Sequence, residues 1–372
     1  MKRTKWLLFV GLVLTLIVGA CGQTTKNEEA ATVTDGTLSI YTTVYPLQFF
    51  TEQIGGEHVH VQSIYPAGAD EHTFDPTQKD MMALADADLF FYIGLGLEGF
   101  VENAQKTLKS EHVEMIATAE SISEDRLGEN HHHHDEDGHD EHGEDEHGHG
   151  DDGHDEHGED EHGHGEEGHD EHGEDEHGHD EEGHDEHSEE AHHDHDHGEF
   201  DPHVWISPTL SIELANSIKE ALIAKMPEQK ETFEKNYDAL ADQLMDLDER
   251  FADMANKAPS KTFFVSHAAF GYIANAYGLN QVAIAGLNSQ SEPSQKELTK
   301  IVDQAKEENI QYVLFEQNVS SKLTDVVRKE IGAESLQLHN LGVLTPEDVQ
   351  NKETYFTLME RNLSVFEQAL SK

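Results

Sequence analysis

The chain has 372 residues, a formal net charge of −53 and one cysteine. A length of this kind allows one large domain or two medium ones, and a single cysteine excludes an intramolecular disulfide. Nucleic acid is excluded as a partner because a phosphate backbone needs a basic protein face, so cations are the natural partners of this chain.

Residues 1–20 have the pattern of a secretory signal peptide, with basic residues before an apolar run too short to span a bilayer comfortably. The run ends in VGAC at residues 18–21, which resembles a lipobox and implies cleavage before Cys21 and attachment of a lipid to its sulfur. Residues 21–36 are polar and are predicted to form a flexible tether. We therefore expect an extracytoplasmic protein that its lipid anchors to the outer face of a cell membrane, of the Gram-positive type.

Predicted strands and helices alternate after the tether. The predicted strands cover 38–44, 59–64, 89–93 and 113–116, and the predicted helices cover 47–54, 76–85 and 99–109. The continuous apolar run at 89–93 is typical of a buried strand in a parallel sheet. This alternation predicts a parallel sheet with helices on both faces.

An acidic, histidine-rich segment interrupts this first lobe at residues 131–199. It carries 22 of the 29 histidines and 32 acids but no lysine or arginine, and its sequence GHDEHGEDEHGHG starts at Gly138 and again at Gly153. Removing its 32 acids from the formal charge of −53 leaves −21 on the rest of the chain. So few apolar residues cannot offset the entropy of ordering the chain, which predicts a disordered loop.

Alternating histidine and acid in this loop indicates a metal-binding tract, since solvation alone needs no histidine. We expect the loop to collect or buffer Zn²⁺ weakly, and a pH-sensing role through histidine protonation stays open. Its accessory metal ligands are predicted to include His131, His132, His133, His134, His139, His142, His147, His149, His154 and His157.

A long amphipathic helix is predicted after the loop. A helical region covers 207–226, and after Pro227 the helix resumes to about residue 256 with apolar residues every three or four positions. At about 1.5 Å per residue it spans roughly 40 Å, enough to bridge two lobes. The second alternating block has predicted strands at 262–266, 281–285, 312–315 and 335–339, and predicted helices at 271–277, 297–308, 324–331 and 355–370.

The predicted fold class is α/β, with two lobes that each hold a central, mainly parallel sheet flanked by helices. One long helix joins the lobes, and the cleft between them holds the metal site. The predicted boundaries are a signal peptide at 1–20, a lipid-anchored tether at 21–36, an N-terminal lobe at 37–227 with the insert at 131–199, an interlobe helix at 228–257 and a C-terminal lobe at 258–372.

Three histidines outside the loop lie in distinctive motifs, each where a strand should end. His72 is in GADEHTFDP, His203 is in DPHVWISP and His267 is in FFVSHAAFGY. In open α/β sheets ligands bind outside the carboxyl ends of the strands, which suits His267. With SEPS and FEQNVSS further on, these motifs resemble the ZnuA/AdcA-like zinc-binding lipoproteins, the solute-binding proteins of zinc ABC importers with a rigid helix between their lobes. The resemblance covers the chain from Leu38 onward, except for the insert.

The resemblance implies that His72, His203 and His267 bind Zn²⁺, and that the protein delivers the ion to a membrane permease driven by a cytoplasmic ATPase. The fourth ligand departs from many relatives, because Gly342 stands where they carry an acid in the last lobe. We expect Glu71, then water, then a histidine of the loop, as the fourth ligand. Three imidazoles and one oxygen suit tetrahedral Zn²⁺, whereas Mn²⁺ favours more carboxylate and carbonyl oxygen.

Several other residues have simpler explanations. Turn formation accounts for Asp201 before Pro202, and Trp205 is predicted to pack in the cleft wall. Glu316 is predicted to line the cleft and to support or cap the site without binding metal. His339, with no motif around it, is predicted to lie on the surface.

Zinc capture for an ABC importer by a monomeric protein, and not an enzyme, is the function that these observations favour. The alternatives are a protein that binds manganese or another divalent metal, and a surface metal buffer or adhesin with no role in transport. A zinc hydrolase is a further alternative, because three histidines near a glutamate also describe catalytic zinc, but the sequence lacks HExxH.

Overall fold

A computed structural model describes residues 36–128, 200–317 and 322–372. The predictions for the signal peptide, Cys21, most of the tether and the histidine-rich loop lie outside these residues. Among the residues that the structure does describe, no helix combines the length and apolar character needed to cross a membrane.

The N-terminal lobe is built on a four-stranded parallel sheet in the order β2-β1-β3-β4. Its elements are β1 (Leu38–Thr42), α1 (Tyr45–Gly55), β2 (Val59–Ser63), α2 (Gln78–Ala85), β3 (Leu89–Tyr92), α3 (Val101–Leu108), β4 (Glu114–Ala117) and α4 (Pro208–Lys225). All four residues of β3 are buried, as its continuous apolar sequence predicts. The helix expected from Pro76 begins instead at Gln78, because Thr77 and Asp80 form a capping box at its N-terminus.

The C-terminal lobe repeats this plan with a parallel sheet in the order β6-β5-β7-β8. The long helix α5 (Lys230–Lys257) precedes it, and its elements are β5 (Thr262–His267), α6 (Gly271–Tyr277), β6 (Asn280–Ala285), α7 (Gln295–Glu307), β7 (Tyr312–Glu316), α8 (Lys322–Ile331), β8 (Glu334–Leu338), α9 (Pro346–Asn351) and α10 (Tyr355–Ala369). The predicted fold class is therefore confirmed. The sequence analysis missed α9, and the segment after Pro227 is one 3₁₀ turn before α5 rather than its first turn.

Both sheets reverse their strand order at one point, and a buried glutamate lies beside each reversal. In the N-terminal lobe Glu98 accepts hydrogen bonds from the Thr43 hydroxyl at 2.8 Å and from the backbone N–H of Ile93 and Gly94 at 2.8 and 3.0 Å. Burial raises the pKa of Glu98 to about 7. These bonds hold together the carboxyl ends of β1 and β3, the edge at which open α/β sheets bind ligands.

One continuous core runs through both lobes. Helix α5 packs on α1 and α4 of the first lobe and on α6 and α10 of the second. Helix α10 makes a second connection, since Tyr355 packs against Phe50 with ring centroids 5.0 Å apart and Phe366 packs against Phe263 at the same distance. Helices α5 and α10 thus both connect the two lobes, which restricts relative movement of the lobes.

Replacing Phe366 with alanine should lower the free energy of unfolding by about 3–5 kcal/mol, because this fully buried ring would leave a cavity between α5, α6 and α10. Urea denaturation monitored by circular dichroism measures the change. Glu367→Ala, at an exposed position next to it in α10, is the matched control and should change stability by less than about 0.5 kcal/mol. Equal effects of the two substitutions would contradict this account of the core.

Candidate metal centre

His267 is the last residue of β5 and is fully buried. Glu316 ends the neighbouring strand β7, and its Oε1 accepts a hydrogen bond from His267 Nδ1 at 2.6 Å and from the Ser266 hydroxyl at 2.7 Å. Parallel pairing of β5 with β7 brings the two strand ends together at the point where the strand order reverses. The prediction that Glu316 supports the site is consistent with this contact, and its carboxylate fixes the orientation of the imidazole.

His203 is fully buried in the turn before the 3₁₀ segment Val204–Ile206. Asp201 Oδ1 accepts hydrogen bonds from the backbone N–H of His203 at 2.9 Å and from its Nδ1 at 2.8 Å. Turn formation alone was expected to explain Asp201, and this second bond shows that the expectation was incomplete. The same carboxylate shapes the turn and holds the imidazole.

His72 lies in the loop between β2 and α2 and is half-buried. Its backbone N–H donates to Asp70 Oδ1 at 2.9 Å, which shapes the loop as an Asx turn. Asp70 also accepts a hydrogen bond from the Ser289 hydroxyl of the C-terminal lobe at 3.2 Å. The loop that carries His72 is thereby attached to the opposite lobe.

The structure brings the three predicted histidines together, with one ligand nitrogen from each within 4.8 Å of the others. His203 Nε2 is 3.3 Å from His72 Nε2 and 3.4 Å from His267 Nε2. Tetrahedral Zn²⁺ with Zn–N bonds of 2.0–2.1 Å requires its nitrogens to be about 3.3–3.4 Å apart, so these spacings fit the ion. No other group of three metal-ligating side chains occurs among residues 36–128, 200–317 and 322–372.

The protons on these rings explain why a cation suits the site. His203 and His267 each use Nδ1–H to donate to a carboxylate, so in its neutral form each ring presents a lone pair on Nε2. Two lone pairs 3.4 Å apart repel each other unless a proton or a metal ion lies between them. This arrangement of oriented imidazoles is the one that metal sites use.

Glu71 is buried beside this cluster but is not one of the side chains that share the 4.8 Å group. Its Oε1 accepts a hydrogen bond from Asn340 Nδ2 at 2.8 Å, and burial raises the pKa of its carboxyl to about 7. A Cβ atom at Gly342 would lie 2.5 Å from Glu71 Oε1 and 2.7 Å from its carboxyl carbon. The absent side chain at Gly342 leaves the space that Glu71 occupies, and the role of Glu71 as fourth ligand stays a prediction.

Asn340 is the residue at this site that sequence reasoning missed. Its side-chain Nδ2 donates to Glu71 Oε1 at 2.8 Å and to Glu316 Oε2 at 3.2 Å. Its backbone carbonyl accepts a hydrogen bond from Trp205 Nε1 at 2.7 Å. Trp205 is fully buried, as its predicted packing role requires. One asparagine therefore contacts a residue of the first lobe, the partner of His267, and the indole next to His203.

His339 was predicted to lie on the surface, and this prediction is wrong because only 3% of the residue is exposed. Its Nδ1 accepts a hydrogen bond from the backbone N–H of Leu341 at 2.9 Å, and its Nε2 donates to Asp348 Oδ2 at 3.0 Å. His339 thus shapes the loop after β8, where Leu341 has a left-handed backbone with φ of 61°. This loop places Asn340 and Gly342 against Glu71.

Electrostatics at the site favour a positive charge. Burial opposes ionisation of both His267 and Glu316, but their contact outweighs it, raising the pKa of His267 and lowering the pKa of Glu316. Asp201 and, in its ionised form, Glu71 add further negative charge around the three rings. Either a proton or a metal cation on the imidazole nitrogens balances this negative charge, so protons and metal ions compete for the site.

The chain is similar to known zinc-binding and zinc-uptake proteins. The zinc-binding lipoprotein AdcA of Streptococcus pneumoniae (strain ATCC BAA-255 / R6) is 34% identical over 373 residues, which cover 99% of this chain and 61% of AdcA. This chain thus spans 61% of the length of that relative. The high-affinity zinc uptake system protein ZnuA of Bacillus subtilis (strain 168) is 33% identical over 367 residues, which cover 98% of each chain.

A solved structure, the Zn(II)-bound ZnuA-like domain of Streptococcus pneumoniae AdcA, is 31% identical with a TM-score of 0.63 and covers 91% of this chain and 100% of that domain. The family model ZnuA, described as the periplasmic component A of the zinc-uptake complex, matches residues 40–369. The resemblance found in the motifs is confirmed: the chain belongs to the ZnuA family of zinc-uptake components.

Proposed function

We propose that this protein captures Zn²⁺ outside the cytoplasm and delivers it to the membrane permease of an ABC importer. The observation that carries the proposal is the set of three imidazole nitrogens spaced 3.3 and 3.4 Å apart, two of them oriented by buried carboxylates. Membership of the zinc-uptake family and the names of AdcA and ZnuA support zinc as the ion.

Zinc is favoured over manganese by the ligands themselves. Three neutral imidazoles suit the tetrahedral geometry of Zn²⁺, whereas Mn²⁺ favours additional carboxylate and carbonyl oxygen. We propose Glu71 or a water as the fourth ligand. An acid in the loop after β8 would overlap the Glu71 carboxylate, because a side chain at Gly342 would meet it.

Release requires the lobes to separate at the site. His72 belongs to the N-terminal lobe and His267 to the C-terminal lobe, so moving the lobes apart removes ligands from the ion. Helices α5 and α10 both restrict this movement. We infer that the permease, rather than thermal motion of the isolated protein, deforms the site and releases zinc.

Attachment to the membrane and the histidine-rich loop complete the proposal. A lipid on Cys21 would hold the protein near its permease, and the lipoprotein name of AdcA supports this. Residues 131–199 would act as a zinc collector or buffer in a protein that works as a monomer. The family consists of solute-binding components of transport systems, which supports binding rather than hydrolysis as the activity.

His267→Ala should weaken Zn²⁺ binding by at least about 100-fold, equivalent to about 2.7 kcal/mol, because it removes one of three ligands and leaves Glu316 without its partner. Competition against a zinc chelator measures the affinity of the purified protein. His112→Ala is the matched control, since His112 is exposed and bonds to Asp88 at the edge of the first lobe. Tight binding that survives His267→Ala would refute the site.

Zinc affinity should fall as pH decreases, because the ligand imidazoles must be deprotonated to bind the ion. Free imidazole titrates near pH 6.5, and Glu316 raises the pKa of His267 above that value, so the decline begins above pH 6.5. Chelator competition between about pH 5 and 8 measures the trend. A constant affinity over that range would contradict the assignment of the ligands.

Deleting residues 131–199 should leave one tight zinc site with unchanged affinity and remove the weaker additional binding. The ordered site depends on His72, His203 and His267, which the deletion does not touch. Isothermal titration of the intact and shortened proteins measures stoichiometry and the tightest constant. Loss of the tight site in the shortened protein would show that the loop supplies an essential ligand.

A further inference from the structure

The two ends of the segment 129–199 leave and re-enter the described part of the chain at one place beside the zinc site. The backbone N–H of Asp201 donates to the carbonyl of Gly128 at 2.8 Å. This hydrogen bond joins the residue before the segment to a residue just after it. We call Gly128 and Asp201 the neck of this segment, and the hydrogen bond between them helps to fix the position of Asp201.

Tyr272 of the C-terminal lobe contacts both sides of this neck. Its hydroxyl donates to the carbonyl of Asp201 at 2.7 Å and accepts from the backbone N–H of Gly128 at 3.2 Å. Only 6% of Tyr272 is exposed, so water does not easily replace these bonds. One phenol thus fastens the neck to α6, an element of the opposite lobe.

The neck is also the support of a zinc ligand. Asp201 holds His203 by two hydrogen bonds from the same oxygen, at 2.8 and 2.9 Å. Its other carboxylate oxygen would lie only 2.9 Å from a Cβ atom at Gly271, the neighbour of Tyr272. The absence of a side chain at Gly271 allows α6 to approach the carboxylate this closely.

We propose that Tyr272 is a positioning residue of the zinc site, which couples contact between the lobes to the orientation of His203. The proposal rests on the proposed zinc-capture function and adds how contact between the lobes controls the orientation of one zinc ligand. When the lobes are in contact, Tyr272 fixes Asp201, and Asp201 fixes the imidazole with Nε2 toward the ion. When the lobes separate, this support is lost together with the ligands from the other lobe.

Because of this coupling, separating the lobes lowers zinc affinity by more than the loss of one ligand alone would. Displacing α6 from the neck removes the hydrogen bond to the Asp201 carbonyl and at the same time frees the carboxylate that orients His203. A residue that supports a ligand in this way typically changes metal affinity by about 10–100-fold.

Tyr272→Phe tests the proposal, with Tyr277→Phe as the matched control. Both substitutions remove one hydroxyl from α6. The Tyr277 hydroxyl donates to Asp248 Oδ1 of α5 at 2.8 Å, and Asp248 is not a residue of the proposed zinc site. Zinc affinity of the full chain, measured by chelator competition, should fall about tenfold in Tyr272→Phe and stay unchanged in Tyr277→Phe. Equal affinity of Tyr272→Phe and the wild type would overturn the proposal.

A double-mutant cycle with Asp201→Ala, which removes the oxygen that holds His203, separates positioning from general destabilisation. If Tyr272 acts through Asp201, the tenfold effect of Tyr272→Phe should shrink to less than about twofold when Asp201→Ala is already present. An effect of the same size in both backgrounds would overturn the proposal. Nitrogen chemical shifts of His203 in the zinc-free protein provide an independent measure, since Tyr272→Phe should shift the tautomer balance of this ring and Tyr277→Phe should not.

The same titration distinguishes failure of this inference from failure of the proposed function. A wild-type protein without tight zinc binding would refute the zinc-capture function and this inference with it. Tight binding by the wild type and by Tyr272→Phe alike would refute only the role of Tyr272.

Discussion

Two buried carboxylate–imidazole pairs determine where the nitrogens of the proposed zinc site point. Glu316 holds Nδ1 of His267 at 2.6 Å, and Asp201 holds Nδ1 of His203 at 2.8 Å. Each bond fixes the tautomer and the plane of its ring, so the Nε2 lone pairs converge before any ion arrives. Burial strengthens this effect, because a low local dielectric makes each charge-assisted bond stronger and an unpaired group more costly. The proposed zinc site is thus organised in advance by residues that need not touch the metal.

The backbone that supports these pairs comes from both lobes, which explains the extent of the shared core. Glu316 and His267 end adjacent strands of the second sheet, while Asp201 follows the long insert of the first lobe. Asn340 then links Glu71 to Glu316 through a single amide. A site that is divided in this way requires rigid connections between the lobes. The packing of α5 and α10 provides them.

Much of this architecture could be predicted from the sequence. The apolar run at β3 and the stripe on α5 determine their own structures locally, and His72, His203 and His267 stand in motifs that identify them. Helix α9 also had a readable signal, since Thr345, Pro346 and Asp348 form a capped helix start. The alternation of predicted strands and helices, which is also read from short-range patterns, was sufficient to predict the parallel sheets. Short-range patterns were sufficient wherever the structure depends on neighbouring residues.

The remaining features depend on contacts between residues far apart in the chain. Asn340 meets Glu71 across 269 positions, and no local pattern marks that pairing. The environment of His339 depends on Asn362, whose side chain bonds to both its N–H and its carbonyl. The role of Tyr272 depends on the neck of an insert that the sequence presents as a separate feature. Tertiary contacts determine these roles, so they became visible only in the folded structure.

Gly342 limits how a site of this kind can change over evolutionary time. A side chain at position 342 and the carboxylate of Glu71 compete for the same volume, as the 2.5 Å approach shows. A residue with a side chain at position 342 therefore requires the Glu71 carboxylate to move. The two positions are expected to change together, since a substitution at either one alters the space that is open to the other.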